Sequence, residues 1–241
     1  MKMRNVLLIA LFCTVAALAQ NPITADSPFQ VSYAANPSAG ESYINIINTG
    51  ANGASLLGPG FGGAAGNICV NVYAFAPDEQ EISCCSCLLT PNSVANLGVN
   101  RDLTSQTLTG VMPDSVVIKL LATLAGGDGT GTSCTNSAAV TITPVAVDTA
   151  ATPLSHTKLR ANLAQANDPL AFLPAGMVAY GTTPQPVGTA YSAVEHTFVP
   201  STLSVAEYAS ITGRCASILG NGSTWGICNS CRAGALGASK K

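Results

Sequence analysis

The chain has little charge. Only 9% of its 241 residues are Asp, Glu, Lys or Arg, against about a quarter in an ordinary soluble domain. Its only basic doublet is Lys240-Lys241. Nucleic-acid binding needs clustered cations that displace counterions, so no nucleic-acid partner is expected. Histidine is limited to His156 and His196, and tryptophan to Trp225. No Gly-x-Ser-x-Gly elbow occurs. After Ala19 no apolar run approaches the roughly 18 residues of a membrane helix, so no transmembrane helix is expected in the mature chain. No internal repeat is visible.

What is present begins with residues 1–19. Lys2 and Arg4 precede an apolar run from Val6 to Leu18, and Ala17-Leu18-Ala19 supplies small residues for a peptidase. This reads as a signal peptide. A lipid-attachment role for Cys13 is disfavoured by the bulky Phe12 before it. Removing Lys2 and Arg4 from ten basic side chains leaves eight against twelve acids, a net charge of −4. A weakly charged surface of small and polar residues repels itself weakly, which favours association.

Export fixes how the remaining cysteines are read. Cys13 leaves with the leader, so eight of nine remain: Cys69, Cys84, Cys85, Cys87, Cys134, Cys215, Cys228 and Cys231. An even number in an oxidising compartment predicts disulfides. Five precede residue 150 and three follow residue 210. If all pair internally, an odd number of bridges must join the two groups. Cys84 and Cys85 are adjacent and should reach different partners, while Cys69 and Cys87 face each other roughly in a hairpin and form a plausible pair. Zinc at Cys84-Cys85-x-Cys87, or at Cys215 with Cys228-x-x-Cys231, lacks histidine ligands and is the weaker reading. A redox role for Cys228-x-x-Cys231 lacks its βαβ setting. No metal or other cofactor is expected.

The pattern along the chain is mainly β. Phe29, Val31 and Tyr33 alternate within an extended N-terminal segment, residues 20–40. Ser42–Asn48 and Ile68–Ala76 read as strands. In the second, Ile68, Val70, Val72 and Ala74 share one face, with Cys69, Asn71, Tyr73 and Phe75 on the other. Pro77-Asp78-Glu79-Gln80 is a turn, and Glu81–Leu89 returns as the hairpin partner. Ser115–Leu124, Ser137–Val147 and Thr189–Val199 are further strands. Pro153–Ala166 reads as a helix. The strongest helix signal follows Ser204, with a Ser204/Glu207 capping box and a Leu203/Tyr208 staple. Tyr208, Ile211, Cys215 and Ile218 line one face, and Gly220 stops it. The fold class expected is an antiparallel β-sandwich, immunoglobulin-like, over residues 41–150. Residues 151–241 add strands and a cysteine-bearing C-terminal helix packed on the sandwich.

Other motifs have blander explanations. Gly58-x-Gly60-x-x-Gly63 contains Pro59 and reads as a loop, not a dinucleotide fingerprint. Asp128 sits among glycines at a hairpin tip. Asp78, Glu79 and Glu81 form a solvated acidic turn, with calcium or catalysis as the alternative. Asn221-Gly222-Ser223 is a sequon explained by the helix stop. Tyr33, Tyr43, Tyr73 and Trp225 fit core packing better than a sugar platform.

Tyr43-Ile44-Asn45-Ile46-Ile47-Asn48-Thr49-Gly50 resembles the strand-then-NTG signature of secreted immunoglobulin-like surface modules and camelysin-like biofilm fibre subunits. Those fibre subunits are not usually this rich in cysteine. The block from Gly66 to Thr123, GNICVNVYAFAPDEQEISCCSCLLTPN onward, looks like a group of uncharacterised exported bacterial proteins. These resemblances imply export and a β fold, and no site residues.

The expected function is therefore a secreted, non-enzymatic structural or interaction protein of the cell surface or extracellular matrix, with the periplasm as the other location. It would self-associate through strand addition by residues 20–40, even into a filament. The alternatives are a glycan-binding module, and an exported hydrolase using Glu195, His196 or the Asp78 cluster.

Overall fold

The structure is a computed structural model that describes residues 28–54, 66–105, 107, 110–125, 129–134, 176–188, 190–201, 203–215, 218 and 226–231. The leader, the Gly58–Gly63 loop, Asp128, the Ser137–Val147 strand, the Pro153–Ala166 helix, His156, the Asn221 sequon and Trp225 lie outside these residues.

The chain forms strands β1 (Phe29–Ala35), β2 (Tyr43–Asn48), β3 (Ile68–Phe75), β4 (Glu81–Leu89), β5 (Val94–Gly98) and β6 (Ser115–Leu124). After these come β7 (Met177–Val187), β8 (Ala190–Thr197), β9 (Val199–Pro200), helix α1 (Val205–Cys215) and β10 (Gly226–Ile227). Two sheets result, with orders β10-β4-β3-β6-β1-β9 and β5-β2-β7-β8. All pairings are antiparallel except β10 beside β4. The protein is thus mainly β, a two-sheet sandwich with one helix near its C-terminus bonded to the strands through a disulfide.

The period of two in each strand sorts its side chains between two cores. Ile68, Val70, Val72 and Ala74 of β3 enter the main core between the sheets, against Ile44, Ile46, Leu97, Ile118, Leu120 and Met177. Tyr73 and Phe75 face the other way, into a second core with Phe29, Cys84 and Leu121 under α1. Burying each such side chain is worth about 1.5–3 kcal/mol. Helix α1 closes the second core with Ile211 and Cys215, and with Leu203 just before its start. Ser204 Oγ accepts the Glu207 backbone N–H at 3.1 Å, the expected cap. The Glu207 carboxylate does not reach back; it pairs with Lys119 of β6.

Two expectations change. Within the 20–40 segment, β1 is not a free arm: it pairs with β6 on one side and with β9 on the other. Cys69 does not bond Cys87. The register sets Cys69 against Leu88 and Cys87 against Val70, so the two cysteines point to opposite faces of the sheet. Cys69 bonds Cys134, and Cys87 bonds Cys231.

The Asn48-Thr49-Gly50 turn has a local cause. The buried Asn48 amide donates to the carbonyls of Gly66 and Leu89, at 2.9 and 3.0 Å. Its carbonyl accepts the Gly50 N–H, and Gly50 has φ of 79°, a conformation glycine adopts without cost.

Candidate functional site

The site grows from a strand that changes sheets. β8 leaves the four-stranded sheet at Phe198, whose N–H donates to the Ala179 carbonyl at 3.1 Å. The chain continues as β9 beside β1, with Val199 opposite Val31. This crossing brings β8 against β1 and opens a groove of about 600 Å³. Its walls are Val31, Ser32 and Tyr33 of β1, Val117 of β6, Thr183 and Gln185 of β7, and Val194 and His196 of β8. Beneath it Gln30 Nε2 donates to the Met177 carbonyl at 2.7 Å, tying the two sheets together.

His196 is the centre of the groove. Its ring lies over Gly181, its partner on β7, where any Cβ would collide with the imidazole. Tyr33 stacks on it at 6.1 Å between centroids and 16° between planes. Nδ1 lies 3.0 Å from Ser32 Oγ, and Nε2 lies 3.0 Å from Thr183 Oγ1. One ring nitrogen donates and the other accepts, and the rotatable hydroxyls suit either tautomer. Burial holds the His196 pKa below its ordinary value, so the neutral ring is favoured.

The Ser32–His196 pair has the spacing of a nucleophile and base. The group on the far ring nitrogen is a neutral hydroxyl, where a hydrolytic triad places a carboxylate that stabilises the imidazolium. Glu195 is the next residue on the strand and projects to the opposite face. The arrangement therefore holds a neutral imidazole, fixed on both ring nitrogens, within a mostly apolar groove. That chemistry suits binding: a π face, a few hydroxyls and an amide over an aliphatic floor.

The other candidates are dispersed. Tyr73 packs in the second core as expected, whereas Tyr33 and Tyr43 are exposed and not core residues; Tyr43 does not line the groove, so neither it nor Tyr73 joins Tyr33 in a platform. Asp78 accepts the Gln80 N–H at 3.2 Å within its turn. Glu81 differs from the other two acids. Neither carboxylate oxygen reaches water or finds a hydrogen-bond partner among the described residues. Burial pushes its pKa up to about 8, against the pull of Arg214 and Lys119, with Glu207 adding to the rise. The carboxylate lies within 4.8 Å of the Cys84 and Cys215 sulfurs. Those sulfurs are bonded to each other.

The cysteines converge on β4. Cys84 bonds Cys215 at the end of α1, while Cys85 bonds Cys228 and Cys87 bonds Cys231. Cys85 and Cys87 share the inner face of the strand, and Cys84 the outer. Three bridges thus join the two groups, and adjacent Cys84 and Cys85 go separate ways because strand neighbours face apart. Cys228 and Cys231 do not bond each other.

A polar hub that sequence reading missed secures the same place. Asp102 is fully buried in a π-helical turn, Val99–Thr104. Its Oδ1 accepts the Ser230 N–H at 2.8 Å. Its Oδ2 accepts the Gly98 N–H at 2.8 Å and the Ser230 hydroxyl at 2.7 Å. The Glu41 carboxylate accepts the Asn100 N–H at 2.6 Å at the head of that turn. The only hint in the sequence was the adjacent pair Arg101-Asp102 in a chain with few charges, and these two side chains lie 3.2 Å apart.

Among the described residues no helix is long and apolar enough to cross a membrane. Compared with known proteins, the chain matches no family model, no curated protein and no solved structure.

Proposed function

We propose that this is a secreted, disulfide-stabilised structural or interaction protein of the cell surface or extracellular matrix, acting by binding and assembly. One observation carries the reading. Of ten large hydrophobic side chains exposed among the described residues, six cluster around the groove and the β7–β8 hairpin: Tyr33, Val117, Val187, Tyr191, Val194 and Val199. Apolar surface concentrated on one side marks a site of contact. The four disulfides fit an extracellular setting, and they hold the opposite side rigid while this side stays open.

The test is electron microscopy and sedimentation of the purified mature protein, with and without a thiol reductant. Assemblies are expected in the absence of reductant, and their loss in its presence. A particle that stays monomeric at every concentration overturns the assembly reading. A second reading, glycan binding, is favoured by the Tyr33–His196 stack beside the Ser32 and Thr183 hydroxyls. If the monomer binds glycans on an array, and Tyr33→Ala abolishes that binding, the second reading replaces the first.

A further inference from the structure

The two sheets have four edges, and they are not protected alike. The six-stranded sheet ends in β9 and β10, each two residues long. β9 closes with Pro200, which has no N–H to offer. Very short edges and proline are the usual ways a protein keeps a sheet from pairing with its neighbours. β5, one edge of the other sheet, has five residues and runs into the turn fixed by Glu41 and Asp102.

β8 has none of these devices. It runs for eight residues, AYSAVEHT, with no Lys, Arg or Pro, and Glu195 is its only acid. Every side chain is exposed except that of His196, which is half-buried. Among the described residues its only strand neighbour is β7. Its outer rim therefore carries a row of backbone donors and acceptors about 27 Å long, at about 3.4 Å per residue.

We propose that this rim is an assembly site that takes the β8 strand of a second copy, antiparallel, about a two-fold axis at Val194. The inference rests on the interaction reading above and names its partner. Charge favours a second copy. With the axis at Val194, Glu195 faces the partner's Ala193, so no like charges meet, and Tyr191 faces the partner's Thr197, a favourable aromatic and β-branched pair. Val194 meets its own copy, and the exposed Val199 and Tyr33 lie beside the joint. Such a contact is self-complementary and closes at two chains. Any longer assembly must use a second surface.

The experiment compares the full mature chain with Val194→Lys and with Val94→Lys, a control at the exposed face of the β5 edge. Sedimentation velocity over a wide concentration range is read together with circular dichroism. The wild type is expected to dimerise. Val194→Lys, which sets two like charges face to face on the axis, should weaken dimerisation about a hundred-fold or more with the fold unchanged. Val94→Lys should dimerise like the wild type. If Val194→Lys fails to fold, hydrogen exchange on the wild type decides: the outward-pointing β8 amides, those not bonded to β7, should gain protection as concentration rises. A wild type that is monomeric throughout, or a dimer indifferent to Val194→Lys, overturns the proposal. So do outward-pointing β8 amides, those not bonded to β7, that are already protected in dilute monomer, because the chain then covers this edge itself. Large assemblies that survive Val194→Lys refute the edge assignment and leave the interaction reading standing. Dimers that depend on Val194 and never grow further keep the edge and refute a filament.

Discussion

The side of the sandwich around β4 and the side around β8 are secured by opposite means. At β4 three cysteines within four positions bind residues from far along the chain, and Asp102 anchors the same tail by hydrogen bonds. At β8 no cross-link falls among the described residues, and hydrogen bonds join the layers, from His196, itself held by Thr183, to Ser32 and from Gln30 to Met177. The difference has a physical logic. Without β10, the edge of β4 would lie open with a flat, uncharged run of Ser and Cys, and β10 comes from more than a hundred residues away. Closing so long a loop costs entropy, and a covalent bond removes that cost from folding. Among the described residues β8 has no such cover.

The comparison can be broken first at the cross-links. With Cys84–Cys215 intact, Cys85–Cys228 closes only the short stretch from Cys215, and Cys87–Cys231 adds only one turn more. Each should therefore matter little while the other holds. Removing one pair by Cys→Ser in both partners is expected to cost about 1–2 kcal/mol, and removing both about 4 kcal/mol or more. Urea unfolding checks this. Equal, additive losses would show that each bond acts through its own local packing.

The next test compares the buried carboxylate with an exposed edge residue. Asp102→Ala leaves the Gly98 and Ser230 donors without an acceptor and should cost about 3 kcal/mol. Val194→Thr, on the open edge, should stay within about 0.5 kcal/mol in dilute monomer. Chemical denaturation of both variants measures the contrast. A stable Asp102→Ala protein would mean the disulfides alone hold the tail.

The smallest effect sharpens the stapled side. Glu81 titrates near 4.5 when unfolded and is raised to about 8 in the fold. The folded protein therefore holds this proton more tightly, and stability is full below pH 4.5 and falls as pH rises towards 8. Glu81 is only half-buried as a residue, so local relaxation that lets water reach the carboxylate holds the effect to about 1–2 kcal/mol. Glu81→Gln should flatten this slope and melt higher than wild type at pH 8.5. Thermal melts of the two proteins from pH 4 to 9 provide the readout. An unchanged slope would place the titrating group elsewhere.

Local pattern carried much of this fold into the sequence. The alternation in β3, the Pro77–Gln80 turn and the Ser204 cap each depend on neighbours within a few residues, and each is where the pattern put it. What stayed hidden depends on register and on distance. The face that Cys69 occupies follows from a pairing offset that no spacing rule gives. Ser32 and His196 are 164 positions apart and meet only because β8 changes sheets. Asp102 carries no local sign of its role, because its partner Ser230 lies 128 positions away. Val31 and Tyr33 were legible as a strand, yet not as one with a neighbour on each side.

The sheet change at Phe198 also has a mechanical meaning. Beyond β8 the backbone passes through β9 into α1, and α1 ends at Cys215, bonded to Cys84 near the middle of the hairpin. A tug on the exposed strand is thus carried along the chain into a covalent bond at the heart of the other sheet. Peeling the strand from β7 would therefore not release the chain beyond it, because that bond still holds the end of α1 to β4.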